Sequence, residues 1–468
     1  MASEREARDG IRRATSQNPP LAAVSLFLIT MLMMDMTPKQ YRSAQTDLKV
    51  LFKRSALMSE YQGFKSYGLF ESLRREIRTP GGKKVCLSDD AKISFDRLSA
   101  IIEQVVPSRG LVELDDIYTA CKVVLGRWYE SEIDGDSNRF LDDVEGEISG
   151  LISSHDYYTG LSGLNLQGMS EFKFGDVAVH KPKPELINST VGRDSVLELA
   201  WREMNHGLWV TTRIKGSPAY AERRFFELVR SSCGVLAVAF STCLERGGLG
   251  VRLIPNVEGR YKPGTVTWFS VNSSSNALSL KSSFDGLQCL DFSNESAESL
   301  SACEWFVELV RISQLHAGND AEKAVLRGLY WLFDAQADNT LEMKFVKYWS
   351  CIECMFSLDK GKVTQQVRRG VLALLCYYRY KPYNPEAWGS LNRRIVSLYD
   401  LRSLAVHDAQ HGHITHQDVI DVSKWAAFIL MEVSMMISKG METRVQLKRE
   451  VDCIHEFHAS RDVATPET

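Results

Sequence analysis

The sequence carries little net charge: over 468 residues the formal balance is only -3. Nothing in that balance demands a nucleic acid, so only a local basic surface would serve one. The short, regular cysteine spacings of a secreted disulfide framework are also missing, because the ten cysteines are scattered, mostly in apolar stretches such as SSCGVLAVAF. A reducing cytoplasm suits that pattern. Cys351 and Cys354 form the one close pair. They have no second pair to complete a zinc site and lie inside a helical stretch, so core packing is expected of them. There is no internal repeat and no low-complexity tract. The middle of the chain has no Gly-rich phosphate loop, nucleophile elbow or zinc-protease pattern, which makes an enzymatic activity there remote.

One apolar run qualifies the cytoplasmic expectation. LAAVSLFLITMLMM, from Leu21 to Met34, is short for a membrane span. No small-residue cleavage site follows it. Three readings stay open: a buried or docking N-terminal helix, a weak membrane or export signal, or an extension upstream of a start near Met36.

What is present divides the chain into several parts, since 468 residues exceed one ordinary core. After an apolar segment of uncertain role at 1–35, residues 36–158 read as a helical lobe. LKVLFKRSALMSEY, LFESLRREI, ISFDRLSAIIEQVV and IYTACKVVLGRWY carry apolar residues at helical spacing, broken by TPGGKK and DGDSN. Residues 159–299 read as an α+β module, because EFKFGDVAVH, GLWVTTRIKG and TVTWFSV alternate around one long helix, AERRFFELVRSSCGVLAVAFSTCL. Residues 300–445 read as an all-α, up-and-down bundle of four or five helices joined by short loops. A tail covers 446–468. In the bundle, Asn339 with Glu342 gives a capping pattern ahead of a stripe formed by Phe345, Trp349, Ile352 and Phe356. Thr415 with Asp418 caps a last long helix whose apolar face is Val419, Val422, Ala426, Ile429, Val433 and Met436.

Within this bundle, PEAWGSLNRRIVSLYDLRSLAVH sets Trp388, Leu391, Ile395 and Leu398 on one stripe, and the next position at that spacing is Arg402. A guanidinium is costly to bury without partners. Arg402 is therefore expected either to snorkel out at the helix end or to face an anion. His407 follows five residues later, about 140° around a helix of 3.6 residues per turn. One helix does not bring the two heads together, whereas two copies across a twofold axis would place both pairs in one groove.

Arg402-Ser-Leu-Ala-Val-His407 resembles the R-x4-6-H motif of the HEPN superfamily (higher eukaryotes and prokaryotes nucleotide-binding domains). With KYWSCIECMF on the preceding aromatic-rich helix, the stretch is most similar to the Apea-like branch found in bacterial defence proteins. The resemblance covers roughly 300–440, and Ser403 departs from the Asn, Asp or His that many members carry after the Arg. It implies a HEPN-like helical bundle and a metal-independent, cofactor-free endoribonuclease that acts as a homodimer, a toxin or abortive-infection effector. Arg402 and His407 are then catalytic, and Glu353 is the candidate for the acidic or polar residue that the family adds from an earlier helix. The expected products are a 2',3'-cyclic phosphate and a 5'-hydroxyl. The chemistry suits these residue types, since an imidazole moves protons near neutral pH and a guanidinium fork grips phosphate oxygens. Residues before the bundle would then sense a phage or cellular trigger or restrain the nuclease.

A second local feature would serve RNA. Arg368, Arg369, Arg379 and Lys381 interleave with Tyr377, Tyr378, Tyr380 and Tyr383, a mixture able to hold phosphates and stack bases. Ser403 offers one more hydrogen bond. Residues 320–440 hold fifteen Lys and Arg against thirteen Asp and Glu, only a slight basic bias. The competing reading of this cluster is an ordinary charged helix end. For the HEPN-like module as a whole, it is a non-catalytic binder of nucleotide, RNA or protein. A zinc site drawn from His407, His411 and His413 is a further alternative, but Gly412 and the capping Thr415 account for that polarity as a turn.

Overall fold

The computed structural model describes residues 36–58, 73–131, 137–188, 194–205, 207–243, 252–256, 265–271, 278–284, 289–358, 361–407 and 413–462. The apolar run Leu21–Met34 lies outside the described residues. The protein is mostly helical, with its sheets concentrated in the middle of the chain. It divides into two compact units, one of residues 1–155 with 214–224 and one of 156–213 with 225–468.

The first unit is built on α1 (Pro38–Leu51), α2 (Asp89–Val105), α3 (Leu114–Ser131) and α4 (Ser137–Leu151). Helix α1 starts where the sequence can cap it: Thr37 accepts from the Gln40 amide, and the Gln40 side chain returns the bond. Phe95, Leu98, Trp128, Phe140 and Ile148 fill the core between the helices. A small antiparallel sheet, β1 (Leu57–Met58), β2 (Glu76–Arg78) and β3 (Lys84–Leu87), was not expected from the helical spacing of LFESLRREI. Turn chemistry prevails there. Gly82 takes φ +81, the Thr79 amide donates to the Lys83 carbonyl at 2.9 Å, and Ile77 is paired with Val85 as a hairpin.

In the second unit β4 (Ser153–Ser162), β6 (Glu171–Phe174), β7 (Val177–His180), β8 (Leu208–Gly216) and β9 (Ile254–Pro255) form a sheet in the order β6-β7-β8-β4-β9. The alternation seen in EFKFGDVAVH is the β6–β7 hairpin, in register from Glu171 opposite His180 to Phe174 opposite Val177. β5 (Leu164–Gln167) pairs in parallel with β12 (Leu290–Ser293), while β10 (Thr265–Val271) and β11 (Leu278–Phe284) form a separate antiparallel pair. Gly163, between β4 and β5, has φ +92, and a Cβ there would lie 1.8 Å from the Arg252 carbonyl oxygen, so only glycine fits. Two short helices, α5 (Pro184–Asn188) and α6 (Asp194–Met204), precede β8, and α7 (Pro218–Cys243) follows it. The stretch Pro218–Thr242 is the one described segment long and apolar enough to cross a membrane, and 78% of it is buried in the protein.

The C-terminal helices belong to the same compact unit as these strands. They are α8 (Asn294–Ser301), α9 (Glu304–Ser313), α10 (Asp320–Ala337), α11 (Leu341–Phe356), α12 (Val363–Tyr377), α13 (Trp388–His407), α14 (His416–Ser438) and α15 (Arg444–Asp462). Helix α14 packs against α9, α10, α11 and α12, and all six apolar residues read from its sequence are buried. Each such aliphatic side chain contributes about 1.5–3 kcal/mol when fully buried. The expected Thr415–Asp418 capping box is present. The cap of α11 differs by one residue: Thr340, not Asn339, accepts the Met343 amide, and Asn339 accepts from Arg252 instead. Close helix contacts require small residues, as at Gly370 on α12, where a Cβ would sit 2.7 Å from the Phe356 ring.

Candidate functional site

Helix α11 buries Phe345, Trp349, Ile352 and Phe356 completely, which turns Glu353 along the flank of that stripe toward α13. On α13 the stripe Leu391, Ile395 and Leu398 is buried and ends in Arg402. The two charged residues meet. Arg402 Nη2 donates to Glu353 Oε2 at 2.9 Å, with the side chains only 18% and 17% exposed. The Tyr399 hydroxyl donates to Glu353 Oε1 at 2.8 Å, so each carboxylate oxygen has its own donor. The Arg402 guanidinium also lies 5.9 Å from the centre of the Tyr399 ring. That ring is held edge-on by Trp349 at 5.2 Å. Thr364, in the first turn of α12, is within hydrogen-bond reach of the phenol. Burial first, and then the Glu353 carboxylate, push the Tyr399 phenol up to about 12, so it is a neutral donor at any ordinary pH.

The anion facing Arg402 therefore comes from the chain itself. Glu353 is its one hydrogen-bond partner among the described residues, and the Nε atom is buried without one. A guanidinium has five donors, so a second anion can share it without displacing the first. His407 is the last residue of α13; it is exposed and makes no hydrogen bond or ion pair with the described residues. The helix thus separates His407 from the Arg402–Glu353 pair, as its spacing requires. Ser403 is half-buried beside Arg402.

The other proposed RNA contacts fall into two groups. Arg369 pairs with Asp452 of α15 at 3.5 Å, and Arg368 lies half-buried next to it. The Tyr377 ring is stacked on His458 of α15 at 3.6 Å and touches Trp388, so its face is occupied by an imidazole. His455 packs on Trp388; burial, and then the charges of Arg369 and Arg368, lower its pKa. Arg379 and Lys381 sit apart from these, on the exposed turn after α12. Arg379 pairs with Glu304 at 3.0 Å, and Lys381 is the one described non-glycine residue with positive φ, +41. Inside this turn lies Glu432 of α14, which is fully buried and accepts from the Tyr380 amide at 2.6 Å.

Tyr399, Thr364 and Glu432 were not anticipated as members of these clusters. Glu432 had a signal: a lone acid within ILMEVSMMI, comparable to the arginine ending the α13 stripe. Tyr399 and Thr364 had none, since a tyrosine beside an apolar stripe reads as core.

No three His, Cys, Asp or Glu side chains are grouped to hold a metal among the described residues, and His411 lies outside them. His413 is exposed. Cys351 is buried and Cys354 is half-buried on α11, and burial pushes the Cys354 thiol up to about 11, as befits packing rather than reactivity. Comparison of the chain with models of protein families, with curated proteins and with solved structures finds no match.

Proposed function

We propose that the protein is a metal-independent endoribonuclease of the HEPN type, with residues 300–445, which hold α9–α14, as its nuclease bundle. The observation that carries this reading is the meeting of Arg402 with Glu353 and Tyr399 from the R-x4-H helix and its neighbour. An arginine at the end of an apolar stripe, held in one posture by a carboxylate with both oxygens engaged, is a preorganised phosphate receptor. Its Nη1 group takes the phosphate oxygens. An imidazole, His407 of one copy, removes the proton from the RNA 2'-hydroxyl. The 2'-oxygen attacks phosphorus, the 5'-oxygen leaves, and that oxygen takes a proton from the imidazolium of the second copy. The products are a 2',3'-cyclic phosphate and a 5'-hydroxyl, and no metal takes part. Glu353 orients Arg402, and Tyr399 orients Glu353.

Two copies are required because one helix keeps His407 away from Arg402, so the active form in this proposal is a homodimer through the bundle. A toxin or anti-phage effector of this kind needs a trigger, and the residues preceding the bundle are assigned that sensing role. The test is cleavage of RNA by the purified protein, with the trigger supplied, in EDTA. Cleavage should persist, leave 2',3'-cyclic ends, and vanish in Arg402→Ala and His407→Ala. A wild-type dimer inert on every RNA with the trigger present sinks the proposal.

One observation favours a second reading: Arg402 is already neutralised by Glu353, and His407 makes no hydrogen bond or ion pair with the described residues. A non-catalytic module that binds nucleotide, RNA or protein through the same face has no need of His407. In that case His407→Ala leaves the biology unchanged.

A further inference from the structure

The turn between α12 and α13 is built around a buried acid. Glu432 is 0% exposed in the middle of α14, surrounded in sequence by Ile429, Leu430, Met431 and Val433. A charged group in such a place is costly unless donors surround it. Oε1 accepts from the Tyr380 amide at 2.6 Å, and the Arg379 and Lys381 amides are turned toward the carboxyl group, while Oε2 is buried without a hydrogen-bond partner among the described residues. Successive amides face one carboxyl group only when the backbone curls into a nest. Lys381 at φ +41 supplies that curl in a residue type that seldom adopts it.

We propose that Glu432 is the positioning residue of the basic turn Tyr378–Tyr383: its carboxyl group fixes the backbone nest from which Arg379 and Lys381 present their charges to the phosphates of single-stranded RNA. This rests on the reading of the protein as RNA-directed. Glu432 touches no substrate. The ionisable groups around it are Arg379, Tyr380 and Lys381 of the turn, with Glu304 and Cys303 at the start of α9 facing Tyr380. Lys439, the C-cap of α14 about two turns beyond Glu432, sits over the Tyr378 ring at 5.0 Å. The turn thus has cations on its outer side, one of which, Arg379, is paired with the exposed Glu304, and Glu432 beneath.

The arrangement makes the posture of the turn depend on pH. Burial pushes the Glu432 carboxyl up to about 7, against the pull of the three amides and the Arg379 charge. In a released turn the carboxyl meets water and returns toward its ordinary value of 4.5. Between those two values the closed turn holds a proton that the open one has lost. The turn is therefore held most firmly at acid pH, and its hold weakens as pH rises from about 4.5 through about 7 and then levels off.

The experiment compares wild type with Glu432→Gln, which keeps the shape and one acceptor, in two measurements between pH 5 and 8. Hydrogen exchange, corrected for the intrinsic rate, follows the amides of residues 379–381. In the wild type their protection should fall across that range, and in Glu432→Gln it should be flat. Fluorescence anisotropy follows a labelled twelve-nucleotide oligouridylate. Lys381→Ala should weaken binding and lower the slope of log affinity against log salt by about one. The wild-type affinity should fall more steeply with pH than that of Glu432→Gln. Protection that is independent of pH in the wild type, or unchanged in its pH profile by Glu432→Gln, overturns the positioning role even if RNA is cleaved. Protection that behaves as stated with an affinity indifferent to Lys381→Ala overturns the RNA contact at this turn, whatever the outcome for Arg402.

Discussion

Arg402 is a charge on a stripe whose other members are Leu391, Ile395 and Leu398, and the chain tolerates it by bringing Glu353 across from α11. Removing Arg402 leaves Glu353 partly buried with Tyr399 as its one remaining donor among the described residues, and removing Glu353 leaves Arg402 partly buried without its carboxylate. Arg402→Ala should cost about 1–3 kcal/mol in stability, read by urea unfolding. In the proposed nuclease it should also lower the cleavage rate at least about 10²-fold. Arg402→Lys should recover the stability better than the rate, since an ammonium cannot grip carboxylate and phosphate with one fork. A second ionic cluster on α11 tests the same physics away from the site. Lys347, 11% exposed, bridges Asp334 at 2.7 Å and Asp338 at 2.5 Å. Burial opposes the charge on Asp338, but Lys347 and the Thr340 amide outweigh it and hold its carboxyl below the usual range. Lys347→Ala should therefore cost about 3–5 kcal/mol, well above an ordinary surface lysine. At this scale the sequence was informative wherever a charge interrupted an apolar stripe. It was silent on Tyr399, because a phenol earns its role only from what faces it in space.

Helices of this bundle are held by contacts between particular turns. Gly370→Ala on α12 forces a methyl into the Phe356 ring and should cost about 1–3 kcal/mol by displacement of α12 from α11, measured as a fall in the urea midpoint. The seat of α15 on α12 depends on a histidine. Burial, and then Arg369 and Arg368, lower the pKa of His455, so the folded protein resists its protonation. A depressed histidine stabilises the fold above its unfolded value of about 6.5 and loses that contribution as pH falls below it. Hydrogen exchange along α15, corrected for the intrinsic rate, should therefore rise as the pH is lowered from 7 to 5.5, and His455→Gln should abolish that rise. Helical spacing foretold α11, α13 and α14 because long stripes of Phe, Trp, Ile and Val leave no other face to bury. It failed at Glu76–Arg78, where a glycine turn of a few residues decided between helix and strand. It also assigned the aromatic turn residues to one surface, whereas the end of α12 sends Tyr377 to α15 and Tyr380 to α14.

For the whole molecule, the proposed shared groove has a direct test in mixed dimers. Arg402→Ala and His407→Ala chains, each inactive alone, should regain a small part of the cleavage when combined, because the groove then holds one arginine and one imidazole to act as base, with water left to protonate the 5'-oxygen. Separate sites on each chain would give no recovery. The alternation of the middle segment and the periodicity of the last helices marked different secondary structure, yet both belong to one compact unit. Periodicity reports which face of an element is buried, not which element buries it.

The first compact unit has a discontinuous inventory. It includes residues 214–224, where the Ser217 amide donates to the Leu111 carbonyl at 2.8 Å, its hydroxyl donates to Asp116, and Arg223 pairs with Glu113. A ribosome making this chain releases α1 through α4 well before the strip that completes them. The N-terminal unit must therefore wait, unfinished, until β8 and the start of α7 have emerged. For the same reason a fragment ending near residue 155 is a poor stand-in for the proposed sensor, whereas one that runs past residue 224 keeps the closing segment.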